Sequence, residues 1–336
     1  MGRCAPAILP GHAVGQMTIF SRPIRAATLA VSLLAVSLLG PLLTGPMAGA
    51  VAKPLRFVLV PKLAHPWFET VREGAEAAAL MINRQTKNPA VVEYRPPARS
   101  ELALQAAILE AAICSRPSGI SIDLLDAEGL RPLLEQARRQ GIAVNVFDSE
   151  PPASLPLTSI GNDYCLQARI ASERLVQLLG GKGEVAIMQG VPTAPNHAIR
   201  ASCHRQVFAS QPGIQVVASP VDNDSISTAE EQARATMVSH PQLKGWVVSD
   251  AGGGIGVARA IAALGKTGSV KVVALDDLPE LLQLISSGAV DSTAATKPFT
   301  QGYWAVLNLW QQGLGAPPIE RIDTGIGVQG GAAKAP

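Results

Sequence analysis

From Lys53 onward the chain alternates between two periodicities, and that alternation restricts the fold more than any other feature. The run "LRFVLV" is short and nearly all apolar, the pattern of a strand buried on both faces. Behind it, "WFETVREGAEAAALMIN" places its apolar residues at helical spacing. The pair repeats as "AVVEY" with "ELALQAAILEAAI", and "GISID" with "LRPLLEQARRQ". It continues past "IAVNVF" through "EVAIMQ", "IQVVAS", "GWVVSD" and "VKVVAL" with their helical partners. Gly141, Gly180 and Gly288 close helical patterns, where a left-handed cap favours a residue without Cβ. Strands separated by helices of this length must pair in parallel, with helices on both faces of the sheet. Roughly ten or more strands exceed one comfortable sheet. The proline-rich "SEPPASLPLTS" at 149–159 breaks the pattern about a third of the way along. The expected fold class is therefore α/β, with two doubly wound parallel-sheet lobes.

The first fifty residues are a different material. Arg22 and Arg25 precede "AATLAVSLLAVSLLGPLLTG", and "PMAGAVA" then supplies small residues. Ala48 with Ala50, or Ala50 with Ala52, fits the small-x-small rule for cleavage, so residues 1–52 are expected to be a signal peptide with an N-terminal extension. The apolar run approaches the ~20 residues of a membrane anchor, but Pro41 and Pro46 followed by cleavable residues favour removal. Met17 is an alternative start. With a net charge of +2 and no basic cluster, the chain has no electrostatic footprint for nucleic acid. Cys4 would leave with the signal. Cys114, Cys165 and Cys203 show no CxxC spacing, which argues against a metal or redox site. Cys114 lies in an apolar helical pattern and is expected as a buried free thiol, and the spacing does not say whether any two cysteines pair.

In doubly wound sheets the ligand lies beyond the carboxyl ends of the strands. "LVPKLAHPWFETV" offers Lys62, His65, Trp67 and Phe68 at such an end. "NVFDSE" offers Asp148, "SIGND" Asn162 and Asp163, "VVSDAG" Asp250, and "VALDDLP" Asp276 and Asp277. "QGVPTAPNHAIRASC" brings Asn196 and Arg200 into a helix from a loop. Each has a plainer reading alone. An Asp after a strand often caps a helix, so Asp148, Asp250 and Asp276 stand open between cap and ligand contact. Their recurrence on one edge of the fold points to a cleft.

The stretch "VVSDAGGGIG" is not a dinucleotide loop. Val257 stands where GxGxxG needs its third glycine, no GK[ST] follows, and the Asp250 carboxylate would repel a pyrophosphate. No GxSxG or HExxH occurs, and His197 and His204 do not converge with Cys203 on a helix. No catalytic residue, metal ligand or cofactor is expected. The enzymatic alternative is a glycoside hydrolase pairing Asp148 with Asp250 or Asp276.

In their order and spacing these segments resemble type I periplasmic substrate-binding proteins of the ribose-binding, LacI-related group. The resemblance runs from Leu55 to about Val328. It is carried by "HPWFETVREGAEAAA", "IAVNVFDSE", "TSIGNDYCLQARIASERL", "QGVPTAPNHAIR", "SDAGGGIGVARAI", "ALDDLPE" and Pro298 with Gly302. It implies that Trp67 stacks on a sugar ring and that His65 replaces a hydrogen-bonding Asn. It places Asp148, Arg200, Asp250 and Asp276 on polar ligand positions, with Thr296 on the hinge side. Ser149 stands where ribose binders carry Arg, and Asn223 replaces an aromatic of the second lobe. The implied organisation is a multi-crossing hinge between an N-terminal lobe, 53–160 plus 298–325, and a C-terminal lobe, 161–297 plus 326–336. The implied protein is a monomeric periplasmic receptor, not an enzyme, that hands a small polar solute, a sugar, to a membrane permease of an ABC importer. The alternative partner is a sensory histidine kinase or chemoreceptor. A DNA-binding repressor of the group is disfavoured, since an export signal stands where a helix-turn-helix would be needed.

Overall fold

The computed structural model describes residues 53–330; the expected signal segment, 1–52, and the last residues, 331–336, lie outside them. In chain order the described elements begin with β1 (Leu55–Val60), α1 (Pro66–Gln85), β2 (Ala90–Tyr94), α2 (Leu102–Cys114), β3 (Gly119–Ile122), α3 (Ala127–Arg139) and β4 (Ala143–Phe147). Next come β5 (Thr158–Gly161), α4 (Tyr164–Leu178), β6 (Gly183–Met188), α5 (Pro195–Ala209), β7 (Ile214–Ala218), α6 (Ile226–Ser239) and β8 (Leu243–Val248). The chain continues through α7 (Gly253–Ala263), β9 (Lys271–Leu275), α8 (Pro279–Ser286) and β10 (Ser292–Ala295). It ends with α9 (Pro298–Gly313), β11 (Arg321–Asp323) and β12 (Gly327–Gly330).

The strands form two six-stranded sheets, ordered β2-β1-β3-β4-β5-β11 and β7-β6-β8-β9-β10-β12. All pairings are parallel except β10 with β12. The expected two-lobe α/β architecture is therefore present. Both sheets start their strand order in the same doubly wound way, so each has its loop-to-helix edge at the carboxyl ends of its central strands. Three connections pass between the sheets: β5 to α4, β10 to α9, and β11 to β12.

The near-continuous apolar runs become strands buried on both faces: every residue of β3 is buried, as are the last four of β1, β4 and β8. Gly141, Gly180 and Gly288 take φ values of 77°, 62° and 77°, which confirms them as left-handed helix ends. Two glycines let α1 and α9 cross backbone to backbone. A Cβ at Gly74 would lie 1.9 Å from the Phe299 carbonyl oxygen, and one at Gly302 would lie 1.8 Å from that of Val71. The glycine run that opens α7 has a similar purpose. A Cβ on Gly256 would fall 2.5 Å from both Ala229 Cβ and the Ile226 carbonyl oxygen, so the run seats α7 against α6.

A disulfide joins Cys165 at the start of α4 to Cys203 in α5, with the Cα atoms 5.4 Å apart. The expectation for Cys114 fails: no free cysteine occurs among the described residues. Cys114 is the last residue of α2 and half-buried, outside the buried stripe formed by Gln105, Leu109, Ala112 and Ile113. The apolar pattern overstated its burial.

Candidate functional site

The carboxyl edges of the two sheets face one another across a narrow cavity of about 10 Å³, room for about one water molecule, so the walls are nearly closed on each other. The loop after β1 and the start of α1 supply Lys62, His65, Trp67 and Phe68, and the end of β4 supplies Asp148. The other wall carries His197 and Arg200 of α5, Asp224 ahead of α6, Asp250 and Ala251 after β8, and Asp276 after β9.

Aromatic rings fix the first wall. Trp67 and Phe68 meet edge to face at 5.0 Å, and Phe68 meets Phe147 at 6.3 Å in the same geometry. His65 caps α1, its Nδ1 accepting from the Trp67 amide at 3.2 Å. That bond leaves the imidazole proton on Nε2, which has no protein partner. Lys62 lies 2.5 Å from Asp123 and 3.9 Å from Asp148. Burial pulls the Lys62 pKa down, but the charges of Asp123 and Asp148 outweigh it and hold Lys62 above its usual value, as an ammonium.

Asp148 ties the walls together. Its Oδ2 accepts from Asn196 at 2.7 Å and its Oδ1 from Arg200 at 3.3 Å, both across the gap. Burial raises its pKa, opposed by Arg200 and Lys62. Other bonds also cross between the lobes: Trp67 Nε1 donates to Thr296 Oγ1 at 2.9 Å, and Thr193 Oγ1 donates to the Leu125 carbonyl at 2.8 Å. Leu125, Val191 and Ala194 form an apolar contact of their own at that rim. Arg200 is held from behind by Gln167, whose Oε1 accepts from Nε at 2.8 Å. Its guanidinium also stacks 5.0 Å from the Tyr164 ring.

On the second wall Asp250 is a helix cap with one carboxyl oxygen to spare. Its Oδ1 accepts from the amides of Gly252 and Gly253 at the start of α7, at 2.9 and 2.7 Å, while Oδ2 has no partner. Burial, then the charge of Asp224, pushes its pKa up to about 7. Asp222 stands beside it, and burial and the charge of Asp250 hold it well above the usual carboxylate range. Asp276 directs Oδ1 to the Thr296 amide and hydroxyl. Asp148, Asp224 and Asp276 have φ values of 40°, 63° and 64°. Left-handed backbone at non-glycine residues is uncommon and collects at functional sites.

Of the residues expected from sequence, His65, Trp67, Phe68, Asp148, Arg200, Asp250 and Asp276 line the cavity. Asn196 and Thr296 stand one step behind, bonded to Asp148 and to Trp67 with Asp276. Asn223 is a correction: it is exposed, and its neighbour Asp224 reaches the cavity. Both residues are left-handed, with φ of 55° and 63°, and the backbone reversal turns Asn223 outward. Sequence reasoning also passed over Asp123 and Asp222, and weighed His197 only as a partner of Cys203, not as a cavity residue. Asp123 follows β3 and obeys the strand-end rule that singled out Asp148, so its signal was present. Gln167 lies inside α4 with no distinguishing pattern. Six buried aspartates, Asp123, Asp148, Asp222, Asp224, Asp250 and Asp276, thus gather near only two cations, Lys62 and Arg200.

Known proteins were compared with the chain. A family model for the periplasmic binding protein domain matches residues 56–316. The D-ribose/D-allose-binding protein of Pseudomonas aeruginosa is 27% identical over 266 residues, 76% of this chain and 82% of that protein. The D-allose-binding periplasmic protein of Escherichia coli is 26% identical over 72% of this chain and 78% of its own length. Among solved structures, an ABC transporter solute binding protein from Burkholderia graminis in complex with D-arabinose superposes with a TM-score of 0.78 at 28% identity. It covers 83% of this chain and 96% of its own. A XylFII–LytSN complex aligns with a TM-score of 0.76 at 25% identity, covering 83% of this chain and 98% of that one.

Proposed function

Because the chain belongs to the periplasmic binding protein family, we propose that it is an exported receptor that captures a small polar solute, a sugar, between its lobes and presents it to an ABC importer. One observation carries this reading: an aromatic pair on one lobe faces carboxylates and a guanidinium on the other, across a gap already spanned by Asp148–Asn196 and Asp148–Arg200. The sugars named for its relatives support the ligand class. A sugar has an apolar C–H face that packs on Trp67 and Phe68. Its hydroxyls donate to Asp148, Asp250 and Asp276 and accept from Arg200 and His65 Nε2. Charge-assisted hydrogen bonds of this kind are about twice as strong as neutral ones.

The lobes move as bodies 53–160 with 298–325 and 161–297 with 326–330; the rest of the expected second lobe, 331–336, lies outside the described residues. The ligand favours the closed arrangement because only there do groups from both walls reach it. Asp148, which the hydrolytic alternative requires, has both oxygens engaged by Asn196 and Arg200, so binding is favoured over hydrolysis.

A thermal-shift screen of pentoses, hexoses and polyols tests the proposal. A ligand at 100 times its dissociation constant adds about 2.7 kcal/mol of stability, whereas a flat response across the panel would remove the sugar assignment. The second reading is a sensory receptor whose closed form docks on a signalling protein. The similarity to XylFII, seen in complex with LytSN, favours keeping it. Stimulation of a reconstituted importer's ATPase by the sugar-loaded protein separates the two.

A further inference from the structure

Both cations of the cleft already have partners. Lys62 is paired with Asp123, and Arg200 gives its donors to Gln167, the Ser249 carbonyl and Asp148. The second wall is then left with acid. Among the described residues no basic side chain forms an ion pair with Asp222, Asp224, Asp250 or Asp276. The unpartnered atoms point the same way. Asp250 is 1% exposed and lines the cavity, yet its Oδ2 has no hydrogen-bond partner, and neither has Asp222 Oδ2. The hydrogen bonds of Asp276 all fall on Oδ1.

We propose that the ligand of this cleft is a small polyhydroxylated molecule bearing a protonated nitrogen, an amino sugar or amino polyol, with its ammonium group seated against Asp250 and flanked by Asp224 and Asp276. The inference rests on the sugar-receptor reading and narrows its ligand class. A neutral sugar leaves the excess of buried carboxyl groups uncompensated, so these must hold protons. An ammonium group supplies the missing charge and up to three donors for acceptor-only oxygens.

The electrostatics of the wall agree with the geometry. The groups facing Asp250 are Asp222 and Asp224 ahead of α6, the Gly252 and Gly253 amides of its own turn, and His65 across the gap. Burial and the charge of Asp224 place its titration near pH 7. A cation competes with that proton, so its affinity rises as pH increases through that region. A neutral sugar that accepts a hydrogen bond from the protonated carboxyl shows no such rise.

The test is calorimetry on the full chain with matched probes: D-glucose against D-glucosamine, D-galactose against D-galactosamine, and ribitol against 1-amino-1-deoxyribitol, between about pH 5.5 and 7.5. In at least one pair the amine should bind at least about tenfold tighter near pH 7.5. The advantage should shrink toward pH 5.5 and vanish in Asp250→Asn, whose amide oxygen can still cap α7. Asp224→Asn, checked for folding by circular dichroism, provides a second variant. Neutral members binding as tightly as their amines at every pH would overturn the proposal and leave the sugar receptor standing. No binding by any member would overturn both.

Discussion

Asp148 is where chemistry and closure meet, so Asp148→Asn is the informative substitution. The wild-type carboxylate accepts across the gap from Asn196 at 2.7 Å and from Arg200 at 3.3 Å, both in buried surroundings. The amide keeps one acceptor and turns an NH2 toward a donor, so at least one charge-assisted bond is lost. Such bonds contribute about 1.5–3 kcal/mol, equivalent to a 10- to 150-fold weaker dissociation constant. Lys62 retains Asp123 at 2.5 Å and Arg200 retains Gln167 at 2.8 Å, so the unliganded fold should persist with an unchanged circular dichroism spectrum. Calorimetry with the tightest sugar of the screen reads the effect. Affinity within twofold of wild type would refute the claim that Asp148 joins the walls around a ligand.

Trp67→Phe keeps a ring for stacking but removes the indole bond to Thr296; a loss of about 1 kcal/mol predicts roughly fivefold weaker binding by calorimetry. Leu125→Ala touches no cavity residue, yet it thins the apolar contact with Val191 and Ala194 that joins the lobes. It should weaken sugar binding about tenfold with little change in unliganded stability, and unaltered affinity would remove that contact from the closing mechanism. Replacing both Cys165 and Cys203 by Ala opens a loop of 38 residues. Chain entropy then predicts a loss of about 4 kcal/mol in urea unfolding. His204, buried and bonded to Ser172 and the Val248 carbonyl, is neutral when folded, with burial lowering its pKa from 6.5 to about 4. The unfolded chain therefore binds the extra proton between those values, and stability falls as pH drops through that window, by about 3 kcal/mol in full. The drop in unfolding free energy from pH 7 to pH 4.5, read from urea titrations, should be smaller in His204→Asn than in wild type by most of that amount.

Much of this was legible because parallel α/β folds write their plan into sequence. Buried strands read as apolar runs, helices as periodic ones, and the strand-end rule then located Asp148, Asp250 and Asp276 without any knowledge of tertiary contacts. The rule stops at the loop. It cannot tell which residue of "DND" faces inward, and the resemblance that put Asn223 on a second-lobe ligand position could not either, because two consecutive left-handed φ angles turn Asn223 outward and Asp224 to the cavity. Cys165 and Cys203 lie on different helices, and their pairing follows from the packing of α4 on α5, which no spacing encodes. Gln167 was invisible for a related reason: its role lies in an arginine brought to it from another helix. The sequence excluded "GGGIG" as a dinucleotide loop, but that its glycines seat α7 against α6 emerged only in three dimensions.

Solution scattering of the full chain with and without a saturating sugar is the most direct test of a solute trapped between two moving lobes. The account predicts that the radius of gyration falls on binding and that Asp148→Asn blunts the fall. A sugar that binds tightly while the scattering curve stays the same would contradict it.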